Sequence, residues 1–514
     1  MIRTARLFAA LVSVGAALVA LPAASVLGAG KSRVAEVSDA ITEIDVKRAE
    51  ALLADAGGES RSLSFERARL AIYRGDCDAA TATLASPDLR ETKEGADLAA
   101  LAEGCARATV AGFVLEDQPR GIWLRLQDDA DRALAPYLFD VAARARDAIT
   151  RALGVDLPRP LRIDLVRDQY SLSAVSGLPV AAAETTGTLA VARWGRVIML
   201  TPRAAALGFP WEDTLAHEIT HLIVTRASRD FAPLWLQEGL AKRLESSWRP
   251  DRPFDDHAWA DTVARRALEN GRSIGIDQLG PSIAMLPTPE AASIAFAEVT
   301  SFIGYFLRDA GEPALRMLLA DLKGIGARSA EPALRSVTGR SLAEWNAAWQ
   351  KDLAAAQLPA PGVRPHQAPI TRDTARRARL SELLLEQGRA VSAAEVIAPV
   401  LVPDLRDPSL RFRVARAELD AGNHAEAEKA LGTQSEIHSV YGAWFALHGR
   451  FLREQGDSAG AERAFDVGIA VNPLSEDVAC EGERAPKGEL ATAKLPTDPS
   501  RSALCRAARD RVRH

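Results

Sequence analysis

Gly388, Gly422 and Gly456 stand 34 residues apart, and each opens the same frame. The segments read Gly388-Arg-Ala-Val-Ser-Ala393, Gly422-Asn-His-Ala-Glu-Ala427 and Gly456-Asp-Ser-Ala-Gly-Ala461. Ile397, Leu431 and Phe465 each follow the closing alanine by four positions. A fixed period of this length restricts the chain to stacked copies of one unit, because a single copy cannot bury its own apolar face. Glycine permits a tight turn, while the alanine and the large apolar residue share one helical face. The unit is thus helical, with a turn at its glycine. Gly75, Ala80 and Leu84 give the same frame once near the N-terminus. Helical repeat regions are expected over 372–476 and, more briefly, over 30–107.

The segment 358–371 is proline-rich and reads as a linker, since closely spaced prolines cannot continue a helix. Residues 108–357 then form a separate domain of different texture. Leu161–Val166, Gly187–Ala192 and Arg196–Leu200 alternate like strands, with Arg193-Trp194-Gly195 as a hairpin turn. Ala133–Leu153 and the periodic stretches 211–226, 234–247 and 291–309 are expected to be helical. A small sheet followed by helices is an α+β arrangement. Aromatic content is only 5%, which also leans towards packed helices. The formal charge of −5, without a basic stripe, excludes nucleic acid as the main partner.

Arg3 and Arg6 precede an uncharged stretch, Leu7–Gly30. A short basic region followed by an apolar one is the pattern of a secretory signal, assigned here to 1–29. The same stretch is long enough to stay as a membrane anchor, and no later segment reads as a span. Cys77, Cys105, Cys480 and Cys505 fall into one pair near each end. In an exported chain such pairs suggest local disulfides, 77–105 and 480–505, with free buried thiols as the alternative. The second pair would tie down a C-terminal extension, 477–514.

The segment that carries chemistry is Leu215-Ala-His217-Glu218-Ile-Thr-His221-Leu-Ile-Val224. Its apolar residues recur at helical spacing, so His217 and His221 lie one turn apart on one face. Two imidazoles so placed can converge on one zinc ion, with Glu218 beside the open coordination position. A catalytic zinc needs a third protein ligand from a separate element. Glu238, in Trp235-Leu-Gln-Glu238-Gly-Leu-Ala241, follows His221 by seventeen positions and fits that need.

Together these two motifs resemble the gluzincin metallopeptidases, specifically the peptidase MA-like domain of bacterial exported proteins. The 34-residue frames, closed by Asn472-Pro473, resemble the tetratricopeptide repeat. The resemblance to the peptidase covers roughly 160–352 and includes Ser301-Phe-Ile-Gly-Tyr305, Gly311 and Val337–Trp345. It implies an α+β zincin-like metallopeptidase domain with all-α tetratricopeptide-repeat regions on both sides. It also implies zinc held by His217, His221 and Glu238, Glu218 as general base, and the hairpin 187–200 as an edge strand beside the cleft. Two positions depart from the family. The tyrosine-bearing stretch that precedes the Ser-Phe helix is replaced by Ile294-Ala-Phe296-Ala, leaving Tyr305 as the nearest oxyanion candidate. Where an acidic residue often follows the third ligand by one turn, Lys242 stands, so no partner for a zinc-bound histidine is legible. The remaining histidines read as bland, His257 in a solvated acidic loop, and Trp235 and Trp345 as core.

Two functions are open on these grounds. One is an exported, periplasmic or extracellular zinc metallopeptidase, acting on a peptide or protein substrate, whose repeats recruit a protein partner. The other is a non-catalytic, repeat-based binding scaffold that carries a relic zinc-peptidase domain. Contact with a membrane is expected only if the N-terminal segment is retained.

Overall fold

The computed structural model describes residues 32–57, 60–326, 329–358, 371–402, 405, 407–433, 440–483 and 499–512. The signal or anchor segment, His366, His438, His514 and most of the proline-rich linker lie outside these residues.

The first helices are α1 (Arg33–Thr42), α2 (Val46–Ala54), α3 (Arg61–Arg74), α4 (Cys77–Thr83), α5 (Pro87–Arg90) and α6 (Lys93–Thr109). Side chains of Ser32, Asp45, Ser60, Asp76 and Thr92 cap five of them by accepting backbone N–H bonds. Gly75, in the left-handed region at φ 80°, ends α3. A Cβ there would come within 3.1 Å of Trp123 and Arg196, so the turn needs glycine for conformation and for space. Ala80 and Leu84 are fully buried, as the frame requires.

A five-stranded mixed sheet follows, in the order β1-β2-β3-β5-β4. The strands are β1 (Phe113–Asp117), β2 (Ile122–Leu126), β3 (Leu161–Val166), β4 (Ala190–Arg193) and β5 (Arg196–Leu200). β2, β3 and β5 run parallel, while β1 and β4 pair antiparallel at the two edges. Trp194 and Gly195 both have positive φ, 56° and 68°, which matches the twist that a two-residue hairpin needs. The expected strand over 187–192 is shorter than its alternation suggested, because Gly187 ends the helix α9 (Val180–Thr186). β1 and β2 were not anticipated; Phe113–Asp117 and Ile122–Leu126 flank a turn ending in Gly121 at φ 66°.

Both faces of the sheet are covered. Leu124, Ile163, Leu165, Val197 and Met199 point into the main core with α7 (Ala135–Leu153). The opposite face carries Arg125, Asp164, Arg196 and Ile198, and it lies under the N-terminal helices. Arg125 donates to Gly75 O at 2.7 Å, and both Arg125 and Arg196 pair with the buried Asp164. Cys77 and Cys105 are bonded there, packed with Val166, Ile198 and Leu200 and with Leu172 of α8 (Gln169–Ser176). The N-terminal helices therefore form a layer on the sheet.

Beyond the sheet come α10 (Trp211–Ser228), α11 (Leu234–Leu244), α12 (His257–Glu269), α13 (Pro289–Ile325), α14 (Glu331–Thr338) and α15 (Leu342–Ala355). Among the described residues, α13 is the one helix long and apolar enough to cross a membrane. It is broken at Gly311 and buries Phe302, Phe306 and Leu318, as a core helix does.

The C-terminal region is built of helix pairs: α16 (Arg372–Glu386) with α17 (Ala390–Ile397), α18 (Pro408–Asp420) with α19 (His424–Leu431), and Gly442–Glu454 with Ser458–Ile469. Gly388, Gly422 and Gly456 make the turns at φ 72°, 89° and 90°. Ala393, Ala427 and Ala461 are fully buried between the paired helices. This array docks on the sheet-bearing region. Trp211 Nε1 donates to Ile469 O at 2.9 Å, and Phe209 N–H to Val471 O at 3.0 Å.

Cys480 and Cys505 are bonded, tying the helix Pro499–Val512 to the array, where Arg501 also pairs with Glu462 and Asp466. Replacing both cysteines by serine should cost about 3 kcal/mol, since the closed loop has lost denatured-state entropy. Urea unfolding measures this. An unchanged midpoint would mean that the Arg501 pairs alone hold the helix.

Candidate metal centre

α10 and α11 are joined by a turn in which Arg229 and Asp230 are both left-handed, at φ 53° and 61°. Arg229 is anchored by Glu43 at 3.0 Å, which fixes the turn to the N-terminal layer. α11 then presses closely on α13. A Cβ at Gly239 would stand 2.4 Å from Ile303 and 2.8 Å from Val299 O, so only glycine allows this approach. The approach places the neighbouring Glu238 over α10.

His217, His221 and Glu238 converge there. The Nε2 atoms of the two histidines face each other at 3.2 Å, and Glu238 Oε2 lies 3.6 Å from His217 Nε2 and 3.5 Å from His221 Nε2. No other group of three or more metal-capable side chains of this kind occurs among the described residues. The far ring nitrogens are engaged. His217 Nδ1–H donates to Glu245 Oε2 at 2.9 Å, and His221 Nδ1–H donates to Gln237 Oε1 at 3.2 Å. Both Nε2 lone pairs are thereby directed at the shared point.

The charges around this point are strongly coupled. Burial alone would lower the His217 pKa, but hydrogen bonds to Glu238 and Glu245 push it up to about 10. His221 is also raised, burial being outweighed by Glu238. Burial opposes ionisation of Glu238, yet the two imidazoles hold it well below the usual carboxylate range. Without a metal, the site therefore holds protons where a cation would sit.

Glu218 lies beside the triangle and is not part of it. Burial pushes its carboxyl up, against the pull of His221 and His217. It accepts a hydrogen bond from Ala192 N–H of the edge strand β4. His217 and Glu218 line a cleft of about 460 Å³. One side is formed by Gly187–Ala190, leading into β4, and the other by α12 and α13, with Trp259, Val263 and Phe296 as apolar lining.

Glu245, the partner of His217, is not legible from the spacing of the motif: it stands two helical turns beyond Glu238, and the position one turn on is Lys242. Lys242 Nζ donates to Glu245 Oε1 at 2.5 Å, so the lysine supports the carboxylate that holds His217. If the triangle holds zinc, Glu245→Ala should weaken that binding by roughly 10–100-fold, the usual penalty for losing a histidine's outer partner. Competition against a zinc-selective dye measures it. Equal affinity would show that the Glu245 contact does not orient His217.

Two other expectations change. Tyr305 packs against Trp345 at 6.0 Å and under Arg308, and it does not line the cleft. His257 is not loose in solvent: it pairs with Asp255 at 2.9 Å and contacts Lys242 O at 3.2 Å. Trp235 and Trp345 are buried in the core. No protein-family profile matches this chain, and no curated protein matches it either.

Proposed function

We propose that the chain is a zinc metallopeptidase with a zincin-like central domain, exported from the cytoplasm. The observation that carries this reading is the spacing of three ligand atoms, 3.2, 3.5 and 3.6 Å apart. Four ligands at about 2.0–2.2 Å in a tetrahedron are separated by about 3.3–3.6 Å. The donor set, two neutral imidazoles and one carboxylate, also suits zinc and leaves a fourth position for the reaction. A bound zinc supplies Lewis acidity, activating a water near neutral pH and polarising a carbonyl.

The chain's own residues do the rest. Glu218 accepts the proton of the attacking water and delivers it to the leaving amine. The Ala192 N–H orients that carboxylate. β4 is an edge strand, so an extended peptide can lie along it and bring its carbonyl to the metal point. The apolar wall of the cleft excludes water and receives a side chain. The helix pairs, as repeats of the tetratricopeptide kind, recruit a substrate or partner protein. Two disulfides and the uncharged N-terminal stretch support export to an oxidising compartment.

Metal analysis of purified protein, run beside a peptide-library digest, tests this reading. About one zinc per chain and cleavage abolished by a chelator are expected. Protein that takes up no zinc from a zinc buffer would remove its basis.

A further inference from the structure

A second cleft lies away from the metal point. It measures about 980 Å³ and lies between two parts of the molecule. One wall is α7, the start of α10 and the loop Trp248–Pro253. The other is the helix pair Gly442–Glu454 and Ser458–Ile469. The walls are fixed in place by the Trp211–Ile469 hydrogen bond and by the edge-to-face contact of Phe254 with Phe445.

Its chemistry is mixed in a specific way. Trp444, Phe445 and Phe451 give it an aromatic floor, and His448 stacks on Trp444 at 5.2 Å. Six carboxylates and three guanidinium groups line it. Two of the guanidiniums are already committed, Arg144 to Asp140 and Arg249 to Glu212 and Asp213. Asp466 is taken by Arg501, so Arg463 is left with Asp251, Glu428 and Asp457, all exposed at the rim. One buried donor lacks an acceptor: Arg249 Nε, held between the rings of Trp248 and Phe254. An aromatic floor under a net acidic rim complements cationic side chains on an apolar segment.

We propose that this cleft binds an extended segment of another protein that carries arginine or lysine between apolar residues. Since one wall of the cleft belongs to the α7–α10 region, the segment is read jointly by the repeats and the metal-bearing domain. Glu212, in its wall, stands in the first turn of α10, the helix that carries His217 and Glu218. A bound segment therefore sits against the helix of the metal point while leaving the metal cleft open.

Fluorescence anisotropy with a labelled, alternating Leu-Arg octapeptide tests the proposal. Full-length Glu218→Gln protein stripped of metal is used, so that cleavage and zinc play no part in the signal. Saturable binding is expected, at least tenfold tighter than for the Leu-Glu octapeptide, and weakening with salt. Asp251→Lys combined with Glu428→Lys reverses two exposed rim charges and should weaken binding about tenfold, with unchanged circular dichroism. Equal affinity for the two peptides, or indifference to the rim reversal, would overturn the proposal. So would concentration-dependent dimerisation without peptide binding, which would give the cleft to a second copy of the chain. None of these outcomes bears on whether zinc and Glu218 hydrolyse peptides.

Discussion

Glu218→Gln should abolish peptide cleavage while zinc content and folding stay near those of the wild type. Glu218 is not among the three converging ligands, so its replacement leaves the metal triangle intact. Glutamine keeps the size of the side chain and an oxygen that can accept from Ala192 N–H, so β4 is not released. What is lost is a carboxylate able to take and return a proton. General acid–base help is typically worth 10²–10⁴-fold, and here one group serves both the water and the leaving amine, so the upper end is expected. Turnover of a peptide found in the library digest, measured beside metal analysis, checks this. If the protein is a binding scaffold with a relic domain, wild type cleaves nothing and the variant binds partners equally well. Cleavage that survives the substitution would mean that the proton is carried by another group.

His221→Ala should empty the site. The imidazole supplies one of three ligand atoms, and its loss also leaves the buried Glu238 with a single imidazole partner. Zinc content should fall from about one per chain to near zero, a larger effect than the roughly 10–100-fold expected for Glu245→Ala. Cleavage should vanish with it. The same site predicts a pH dependence. His217 is raised from the ordinary histidine value to about 10, so in the metal-free fold its protonated form is favoured. That stabilisation is fully present below about 6.5, the unfolded value, and is lost as the pH rises through the folded one. Zinc must displace this proton, so zinc binding should tighten as the pH rises from 6.5 towards 8.5, by up to about tenfold per unit for each proton released. Calorimetric titration in buffers of different ionisation enthalpy reads the proton count directly. Affinity that is flat across this range would show that the site does not hold the proton.

Much of this molecule is written locally. The four-residue spacing of His217 and His221 places them on one face of any helix that includes them, and α10 is that helix. The frames at Gly388, Gly422 and Gly456 specify a turn and a buried alanine, and both are found at each copy. The hairpin at Trp194-Gly195 is equally local. Each of these depends only on residues within a turn or two, where backbone geometry alone fixes which side chains are neighbours. Contacts between elements are different in kind. Glu245 reaches His217 across 28 positions, and Ala192 reaches Glu218 from a strand. The N-terminal helices read as a short repeat region, yet they roof the sheet because Arg125 donates to Gly75 O and Cys77 and Cys105 pack on Val166, Ile198 and Leu200. The cleft against Trp444 exists only because two distant regions dock. Such meetings depend on the angle and distance at which whole elements pack, set by the summed shape of many side chains such as the missing one at Gly239. The sequence could thus name the three converging side chains and the carboxylate beside them, while their partners and the second cleft were decided by the packing.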